Sequence, residues 1–375
     1  MDKIRVGITG QSGFIGTHLF NTLGLYPDRY ERVPFEDSWF EAEHKLRVFA
    51  GNCDVVVHLA AMNRHGDPRV IYDTNITLIK RLISACEVTG SRPHIIFSSS
   101  TQEAHDNLYG RSKREGRILF EQWAERSGAS FTGVVIPNVF GPFGHPYYNS
   151  VIATFCYQLT HGETPKIDID GEIGLIYVGE VVNEITELMT NRQSQVCLHA
   201  LQAKKHIKVS DLLERITRYR SLYLGNGMIP CLDDPFERDL FNTFVCYIDH
   251  REFFPFRLTL NADERGSFTE IMRMNSGGQL SFSTTRPGVT RGNHFHTRKA
   301  ERFAIIKGRA RISFRRIGTD EVISFELDGS RPAFVDMPVW YTHNITNTGD
   351  DDLYTVFWIS EHFDQNDPDT YYEKV

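Results

Sequence analysis

The first half of the chain alternates short apolar runs with longer stretches of helical periodicity. Apolar and polar residues alternate through Ile4, Val6 and Ile8, and continuous apolar-rich runs follow at residues 54–61 and 94–100. Continuous apolar runs are typical of parallel strands that are covered on both faces. Strands that alternate with helices predict a parallel sheet joined by right-handed crossovers. This half is therefore predicted to be a doubly wound α/β domain.

The pattern changes after about residue 250. Short runs such as GSFTEIMRM and ARISFRRI are separated by Gly, Pro, Asn and Asp, and none has a helical period. Such punctuation predicts an all-β sandwich or barrel. We therefore expect two domains, at residues 1–248 and 249–375, which also suits a length of 375 residues.

The composition narrows the class of protein. Hydrophobic residues make up 41% of the chain and charged residues 24%, as in ordinary globular proteins. The net charge of −7 argues against binding to nucleic acid or anionic membranes, and no apolar run approaches the ~18 residues of a membrane span. The N-terminus leads directly into a strand pattern without a visible signal peptide, so we expect a cytoplasmic protein. The six cysteines lack paired spacing and are expected to be buried free thiols.

A glycine-rich turn, TGQSGFIG at residues 9–16, lies between the first predicted strand and the first predicted helix. Glycine lets the backbone approach a pyrophosphate, and a helix N-terminus offers unpaired N–H groups and the positive end of its dipole. A tight turn without a ligand is the alternative for the glycines alone. The strand–turn–helix context favours a dinucleotide site at Gly10, Gly13 and Gly16.

Two acidic residues, Glu36 and Asp37, follow about 20 residues after this turn, where an acid accepts hydrogen bonds from the adenosine ribose and favours NAD. An arginine there would favour NADP, and Arg32 is the only basic neighbour we identify. A solvated acidic turn is an equally good interpretation. The expected cofactor is therefore NADPH or NADH.

A tyrosine and a lysine, Tyr109 and Lys113, are four residues apart and so face the same way on a predicted helix. A nearby lysine is expected to lower the pKa of the phenol, which can then deliver a proton to a carbonyl oxygen. A hydroxyl at the end of the preceding strand would bind that oxygen. Each residue from Ser98 to Thr101 carries such a hydroxyl, and alignment with the extended short-chain dehydrogenases, which these motifs resemble, makes Ser100 the first candidate, with Ser99 and Thr101 as alternatives.

The glycine turn, the serine-rich strand end and the Tyr109–Lys113 pair, in this order, resemble the extended short-chain dehydrogenases over residues 3–245. The resemblance implies a Rossmann-type fold and a nucleotide-sugar reductase, epimerase or dehydratase. Asn138 is expected to contact the substrate. Further cofactor contacts are expected at Phe14, Ile15, Leu59, Ala60, Ala61, Asn75, Pro137 and the Tyr109–Lys113 pair itself.

A histidine-rich segment in the second half predicts a metal site. His294 and His296 point to the same side of a strand because strand side chains alternate, and Glu301 can reach the same ion from a return strand. With His343 they resemble the ligand set of the cupins, whose glycines, proline and asparagine match Gly288, Gly308, Pro338 and Asn347. The cupin motif usually has glycine where this chain has Trp340.

Three imidazoles and one carboxylate suit zinc, iron, manganese, nickel or copper. A sugar reaction without redox chemistry at the metal favours Zn²⁺ as a Lewis acid. Two alternatives stay open, in which the histidines are ordinary polar barrel residues or the metal only closes the barrel.

Residues 263–270, together with Arg291, resemble the sugar-nucleotide 3,5-epimerases, which are also cupins. This resemblance implies that Arg265 binds the diphosphate and that Glu270 and Arg291 contact the nucleotide sugar. In those epimerases the histidine that matches His294 is a base. The two resemblances therefore compete at His294, and we favour the ligand role.

An extended short-chain dehydrogenase joined to a C-terminal cupin resembles the bifunctional CapF-type enzymes of capsule and O-antigen synthesis. The resemblance implies C3 epimerisation of a UDP-4-keto-6-deoxy-N-acetylhexosamine in the cupin and reduction of its C4 ketone in the dehydrogenase. The product would be UDP-2-acetamido-2,6-dideoxy-L-talose. Lys299, Tyr341 and His362 are candidate acid–base groups, with Lys299 first. A homodimer is expected from both folds.

Two other hypotheses remain at this point. In the first, the chain is a single-activity 4-ketoreductase with a structural, metal-stapled cupin. In the second, it is a nucleotide-sugar sensor, which the intact Tyr109–Lys113 pair disfavours.

Overall fold

The computed structural model describes residues 2–190, 195–264 and 266–375, which form two compact units. The first unit contains the residues up to 140, with 144–151 and 171–208. The second contains residues 141–143, 152–170 and 209–375.

The described helices and strands are numbered in chain order. The helices are α1 (Phe14–Gly24), α2 (Glu43–Asn52), α3 (Pro68–Thr89), α4 (Leu108–Ser127), α5 (Val151–Thr160), α6 (Val178–Thr190), α7 (Val209–Tyr219), α8 (Pro235–Val245) and α9 (His250–Phe253). The strands are β1 (Ile4–Thr9), β2 (Tyr30–Val33), β3 (Val55–His58), β4 (His94–Ser100), β5 (Phe131–Ile136), β6 (Asn138–Phe140), β7 (Glu172–Tyr177), β8 (Val196–Ala200), β9 (Lys205–Lys208), β10 (Phe256–Arg257), β11 (Asn261–Asp263), β12 (Gly266–Phe268), β13 (Gln279–Thr285), β14 (Thr290–Phe295), β15 (Glu301–Lys307), β16 (Arg309–Arg316), β17 (Val322–Asp328), β18 (Ala333–Met337), β19 (Tyr341–Asn347), β20 (Leu353–Ile359) and β21 (Tyr371–Tyr372).

Six parallel strands form the main sheet of the first unit, in the order β2-β1-β3-β4-β5-β8. Strand β3 follows β2 in the chain but lies on the other side of β1, so the strand order reverses between β1 and β3. Such a reversal opens a crevice at the carboxyl ends of the strands, where α/β sheets bind ligands. The glycine turn follows β1 and residues 59–61 follow β3, so both lie at this crevice.

Helices cover both faces of this sheet, which is why its central strands β1, β3 and β4 are largely apolar and buried. On one face α2, α3 and α4 contribute Phe49, Leu82 and Trp123, each at most 1% exposed. On the other face α1 and α6 contribute Leu19 and Val181, both fully buried. Full burial of such side chains stabilises the fold by roughly 1.5–3 kcal/mol each.

The ends of α3 show how local sequence sets a helix boundary. Asp67 caps the first turn by accepting the N–H of Arg69 at 2.9 Å, and Pro68 occupies the first helical position, where its missing N–H costs no hydrogen bond. Gly90, with φ 67°, ends the helix in the left-handed conformation that glycine adopts without strain.

Two five-stranded antiparallel sheets form the cupin-like part of the second unit, in the orders β10-β18-β15-β20-β13 and β17-β16-β19-β14-β21. Residues from both sheets fill the core between them, including Ile305 and Val335 from one sheet and Ile312 and Phe314 from the other. A separate hairpin pairs β11 with β12. The predicted order, a Rossmann-type α/β fold followed by an all-β fold, is confirmed.

Three details differ from, or add to, the sequence-based picture. The predicted boundary at residue 248 follows α7 and α8, whereas both helices pack in the second unit. All the cysteines are free and three are buried, but Cys231 is exposed and Cys197 and Cys246 are half-buried, which corrects the expectation that all are buried. No helix in the described ranges is long and apolar enough to cross a membrane.

Candidate active site and metal centre

The glycine turn has a shape that two of its glycines require. Gly10 has φ 71°, and a Cβ there would lie 2.7 Å from the backbone nitrogen of Ala60. A Cβ on Gly16 would lie 2.2 Å from the carbonyl oxygen of Gly10. Both distances are shorter than real carbon contacts, so a larger residue would displace the turn.

The N-terminus of α1 faces the crevice without a side-chain cap. Gly13 precedes the helix, and its N–H donates to the Gly10 carbonyl at 3.0 Å. Phe14 and Ile15 begin the helix, and Gly13, at the cap position, has no side chain to accept a hydrogen bond from this first turn. Its backbone N–H groups and the positive end of the helix dipole are therefore suited to a phosphate.

The two acidic residues that follow β2, Glu36 and Asp37, make different contacts. Asp37 lies against the glycine turn, where its carboxylate accepts a hydrogen bond from Ser12 Oγ at 3.4 Å. Glu36, the acid predicted to contact the cofactor, is exposed. Arg32 lies against α1, with its guanidinium carbon 4.2 Å from the ring centre of Phe20. Of the two acids, Asp37 is thus the one that contacts this turn.

Residues 59–61, predicted at the cofactor, continue from β3 beside the end of β1. The N–H of Leu59 donates to the Thr9 carbonyl at 3.1 Å. Asn75 is buried and holds the next residue, because its amide oxygen accepts the N–H of Met62 at 2.7 Å and its amide nitrogen donates to the Met62 carbonyl at 3.1 Å. The same nitrogen also donates to Ser112 Oγ on α4 at 3.1 Å. Asn75 therefore connects this segment to the helix that carries Tyr109.

Tyr109 and Lys113 lie on the first turns of α4. Asn107 caps the helix by accepting the N–H of Gly110 at 2.7 Å. A Cβ on Gly110 would lie 2.0 Å from the carbonyl oxygen of Gln102, so glycine allows the helix start to approach the preceding loop. The Lys113 Nζ lies 5.7 Å from the ring centre of Tyr109, as their spacing predicts.

Burial dominates the pKa values of this pair. Lys113 is 3% exposed, and burial lowers the pKa of its amine to about 8. Its Nζ donates to the Ser98 carbonyl at 2.9 Å. Burial raises the pKa of Tyr109 to about 12, with a further increase from the nearby Tyr148. The sequence-based expectation of a lowered phenol pKa is therefore wrong for the protein alone, because loss of water disfavours the phenolate.

Among the serines at the end of β4, Ser100 is the one whose hydroxyl donates to no other described residue, since Ser98 Oγ donates to the His58 carbonyl at 3.2 Å. The hydroxyl of Ser99 is buried and bonds to Glu103. Ser100 Oγ accepts a backbone N–H two residues ahead at 3.2 Å, which leaves its own proton for another acceptor. Pro137 joins β5 to β6, and Asn138 is exposed at the start of β6.

The four predicted metal ligands converge at one point in the second unit. The donor atoms of His294, His296, Glu301 and His343 all lie within 4.8 Å of one another. Glu301 Oε2 is central, with the Nε2 atoms of His343, His296 and His294 at 2.8, 3.3 and 3.9 Å. Adjacent strands bring them together, because β14 pairs with β19 in a register that places His294 opposite His343.

Hydrogen bonds on the outer side orient two of these imidazoles. His296 Nδ1 bonds to the carbonyl of Asp369, and His343 Nδ1 bonds to the carbonyl of Tyr341 at 3.1 Å. A carbonyl oxygen only accepts, so each Nδ1 carries the proton and each Nε2 presents a lone pair to the centre. These Nε2 atoms and Glu301 Oε2 are buried and have no hydrogen-bond partner among the described residues.

The charges of the cluster favour an anionic carboxylate next to imidazoles. Burial alone would raise the pKa of Glu301, but the three neighbouring histidines hold it well below its usual range. Burial lowers the pKa of His343. Burial also opposes charging of His296, but Glu301 and Asp369 together raise its pKa.

A divalent cation satisfies this arrangement. Lone pairs that converge without protons repel one another, and a metal ion replaces that repulsion with bonds. In tetrahedral zinc sites with bonds of about 2.0–2.1 Å, ligand atoms are about 3.3 Å apart. The Glu301–His296 separation of 3.3 Å equals this value, and the Glu301–His343 and Glu301–His294 separations of 2.8 and 3.9 Å lie on either side of it. The donor set of three nitrogens and one oxygen fits zinc.

Two backbone positions shape the cupin-like strands around the ligands. Trp340, where the cupin motif usually has glycine, has φ 63° and donates its N–H to the His296 carbonyl at 2.7 Å. Its ring packs on Phe295, with centres 5.7 Å apart. Gly292 has φ 96°, and a Cβ there would lie 2.8 Å from the carbonyl of His343. The turn thus keeps the glycine-like conformation although its residue is tryptophan.

The three residues predicted to bind the nucleotide sugar in the second domain are Arg265, Glu270 and Arg291. Arg265 lies outside the described residues. Glu270 is exposed and pairs with Arg273, and Arg291 is exposed and donates to the Thr284 carbonyl at 3.2 Å. Neither side chain contacts the metal ligands through a described hydrogen bond or ion pair.

The three candidate acid–base residues also differ in their surroundings. Lys299 is 2% exposed, and its Nζ donates to the Pro368 carbonyl at 3.0 Å. Burial raises the pKa of Tyr341, whose ring packs edge-on against Phe314. His362 is exposed.

Sequence reasoning missed Asp369. Its carbonyl holds His296, and its carboxylate accepts the N–H groups of Thr297, Arg298 and Lys299 at 3.0–3.2 Å. It lies 73 residues from His296 in the chain, and no motif in the sequence connects the two.

Comparison with known proteins assigns a family to each part of the chain. Residues 6–200 match the NAD dependent epimerase/dehydratase family, and residues 261–371 match the polysaccharide biosynthesis C-terminal domain. A Pseudomonas aeruginosa protein named UDP-2-acetamido-2,6-beta-L-arabino-hexul-4-ose reductase is 32% identical over 98% of each chain. The crystal structure of the capsular polysaccharide assembling protein CapF from Staphylococcus aureus is 33% identical, covers 99% of this chain and 100% of that one, and has a TM-score of 0.63.

A UDP-glucose 4-epimerase from Thermotoga maritima shares the fold of the first part. That structure is 21% identical, covers 58% of this chain and 83% of its own, and has a TM-score of 0.52.

A glycine turn at the switch point, a Tyr–Lys helix and an antiparallel C-terminal fold define an enzyme of the NAD(P)-dependent reductase and epimerase class. A second, all-β domain follows the dinucleotide-binding one in the same chain. The chain belongs to the CapF-type family, as its likeness over nearly the full length of both relatives shows.

Proposed function

We propose that the chain carries out two steps on a UDP-linked 4-keto-6-deoxy-N-acetylhexosamine. The cupin-like unit inverts C3, and the α/β unit reduces the C4 ketone with NADPH or NADH. The product is UDP-2-acetamido-2,6-dideoxy-L-talose, a precursor of UDP-N-acetyl-L-fucosamine for capsule or O-antigen synthesis. The observation that carries the proposal is the presence, in one chain, of the Tyr109–Lys113 helix and the cluster of three histidines and Glu301. The name of the Pseudomonas relative supports the substrate class.

In the reduction, the nicotinamide supplies hydride to C4 and the protein supplies the proton. Because burial raises the pKa of Tyr109 to about 12, its phenol is protonated at neutral pH and donates to the C4 oxygen. The free O–H of Ser100 donates to the same oxygen. Lys113, with a pKa of about 8, places a positive charge beside the phenol and stabilises negative charge that develops there. Asn138 contacts the sugar.

The proposed cofactor site uses the crevice between β1 and β3. Backbone N–H groups at Phe14 and Ile15 bind the pyrophosphate, Gly13 closes the turn through its bond to the Gly10 carbonyl, and Gly10 and Gly16 allow the close approach of the pyrophosphate. Glu36 or Asp37 binds the adenosine ribose. Leu59, Ala60, Ala61, Asn75 and Pro137 line the remainder of the site.

In the epimerisation, the C4 ketone acidifies the C3 proton because its removal gives an enolate. Zinc held by His294, His296, Glu301 and His343 would stabilise the charge of the enolate oxygen. A base removes the C3 proton, and an acid returns a proton to the other face. Lys299 is the first candidate because it lies on the turn between the two ligand-bearing strands, β14 and β15. Arg265, Glu270 and Arg291 bind the nucleotide.

Product analysis tests both steps at once. Enzyme, NADPH and the 4-keto sugar nucleotide should oxidise the cofactor and give a product whose NMR coupling constants show inversion at C3. Tyr109→Phe should stop reduction while solvent deuterium still enters C3, and His296→Ala should stop deuterium entry. Cofactor that is not oxidised in either form, NADPH or NADH, would refute the reductase step.

The alternative keeps the reductase and makes the metal structural. It is supported by the position of the cluster across paired strands, where His294 on β14 lies opposite His343 on β19. Under this alternative, chelation lowers the melting temperature but deuterium still enters C3.

We also propose that the protein is a cytoplasmic homodimer. Strand β13 is at the edge of its sheet and exposes Leu280 and Phe282, at 57% and 70%. Such an apolar edge suits a contact between two copies. Sedimentation tests the proposed dimer. We expect the wild type to sediment as a dimer and Phe282→Lys to dissociate.

A further inference from the structure

The segment at residues 367–375, which the motifs do not include, packs along the metal-ligand strand. Tyr371 and Tyr372 form β21, which pairs with β14 so that Tyr372 lies opposite His294. The carbonyl of Glu373 accepts the hydroxyl of Thr342, and its N–H donates to the Asn293 carbonyl at 3.0 Å. The segment thus extends the sheet beside two of the ligands.

Asp369 occupies the point where this segment meets the ligands. It is 2% exposed and has φ 44°, a left-handed conformation that aspartate tolerates better than most residues. Its carbonyl accepts the Nδ1 proton of His296. That bond fixes which nitrogen of His296 faces the cluster.

The carboxylate of Asp369 fixes the turn between the two ligand strands. It accepts the N–H and the hydroxyl of Thr297, the latter at 2.6 Å, and the N–H groups of Arg298 and Lys299 at 3.0 and 3.2 Å. Hydrogen bonds to a carboxylate are stronger than those between neutral groups. This turn joins His296 to Glu301, so one residue sets the separation and orientation of two ligands.

We propose that Asp369 is a positioning residue of the metal centre, through its carbonyl for His296 and its carboxylate for the turn at residues 297–299. This role rests on the proposed metal site. Removal of such outer-shell bonds typically weakens metal binding 10–100-fold. Asp369→Ala keeps the backbone carbonyl but removes the carboxylate that fixes the turn between His296 and Glu301, so it should raise the dissociation constant for Co²⁺ or Zn²⁺ about 10-fold.

The experiment measures metal affinity by chelator competition and the visible spectrum of the Co²⁺ form, using the full chain. Asp367→Ala is the matched control, because Asp367 lies in the same segment but its carboxylate pairs with the Arg298 guanidinium at the surface. We expect Asp369→Ala to change both the affinity and the Co²⁺ spectrum, and Asp367→Ala to change neither. Thr297→Val, which removes one hydrogen bond to the carboxylate, should weaken binding less.

Wild-type affinity and an unchanged Co²⁺ spectrum in folded Asp369→Ala would overturn this role. If Asp369→Ala does not fold, the same result in Thr297→Val overturns it. A wild-type chain that binds no Co²⁺ or Zn²⁺ would instead refute the metal site itself.

Discussion

Replacement of Lys113 by methionine should stabilise the protein while it abolishes reduction. Methionine has a similar length but no charge, and Lys113 is 3% exposed. Burial lowers its pKa from 10.5 to about 8, and one pKa unit is worth about 1.4 kcal/mol. At pH 7 the buried charge therefore costs about 3 kcal/mol of folding free energy. For a unit of this size that corresponds to roughly 6–12 °C in melting temperature.

The pH dependence of this effect has a definite sign. Between pH 8 and 10.5 the unfolded chain keeps the lysine proton and the folded chain releases it. Stability rises with pH wherever the unfolded state binds more protons, so Lys113 adds to the free energy of unfolding as pH rises through this window. The stabilisation by Lys113→Met should be full below pH 8 and should vanish near pH 10.5.

Melting curves of the cofactor-free wild type and variant, at pH 7 and at pH 10, measure this difference. Lys80→Met is the control because Lys80 is exposed, and it should change stability little at either pH. The same assay with the 4-keto sugar should show no cofactor oxidation by Lys113→Met. A variant that melts below the wild type at pH 7, or a difference that does not shrink with pH, would refute the reasoning.

Three other outcomes are expected. Gly16→Ala places a Cβ 2.2 Å from the Gly10 carbonyl and should abolish NAD(P)H binding by fluorescence titration, whereas Gly51→Ala, with no atom within 4 Å, should not. Asp336→Asn leaves the buried Arg302 partly unpaired and should destabilise by about 3–5 kcal/mol in denaturant unfolding, while the double replacement Arg302→Met with Asp336→Leu should recover most of the loss. Chelation should stop deuterium entry at C3 but leave reduction of an already epimerised substrate intact.

The sequence predicted those candidate site residues whose side chains are brought together by a short interval in the chain. The glycine turn, the four-residue interval between Tyr109 and Lys113, and the alternation of His294 and His296 depend on backbone geometry that repeats in every helix or strand. His343 required a recognised motif, since strand pairing brings it to its partners.

Sequence reasoning failed where a property of a residue depends on its burial or on contacts with residues far away in the chain. The pKa of Tyr109 rises because packing removes water, and no local pattern reports that. Asp37 rather than Glu36 contacts the glycine turn, although both follow the same strand.

By itself, then, the sequence determined the order of the two folds, the glycine turn, the Tyr–Lys pair and the three histidines and the glutamate that cluster in the second unit. Only the tertiary structure decided which hydroxyl of the serine-rich strand end is free, how burial sets the charges of Tyr109 and Lys113, and that Asp369 holds His296 across 73 residues. The physical reason is that spacing fixes the direction of a side chain, whereas its solvation and its hydrogen-bond partners depend on every element that packs around it.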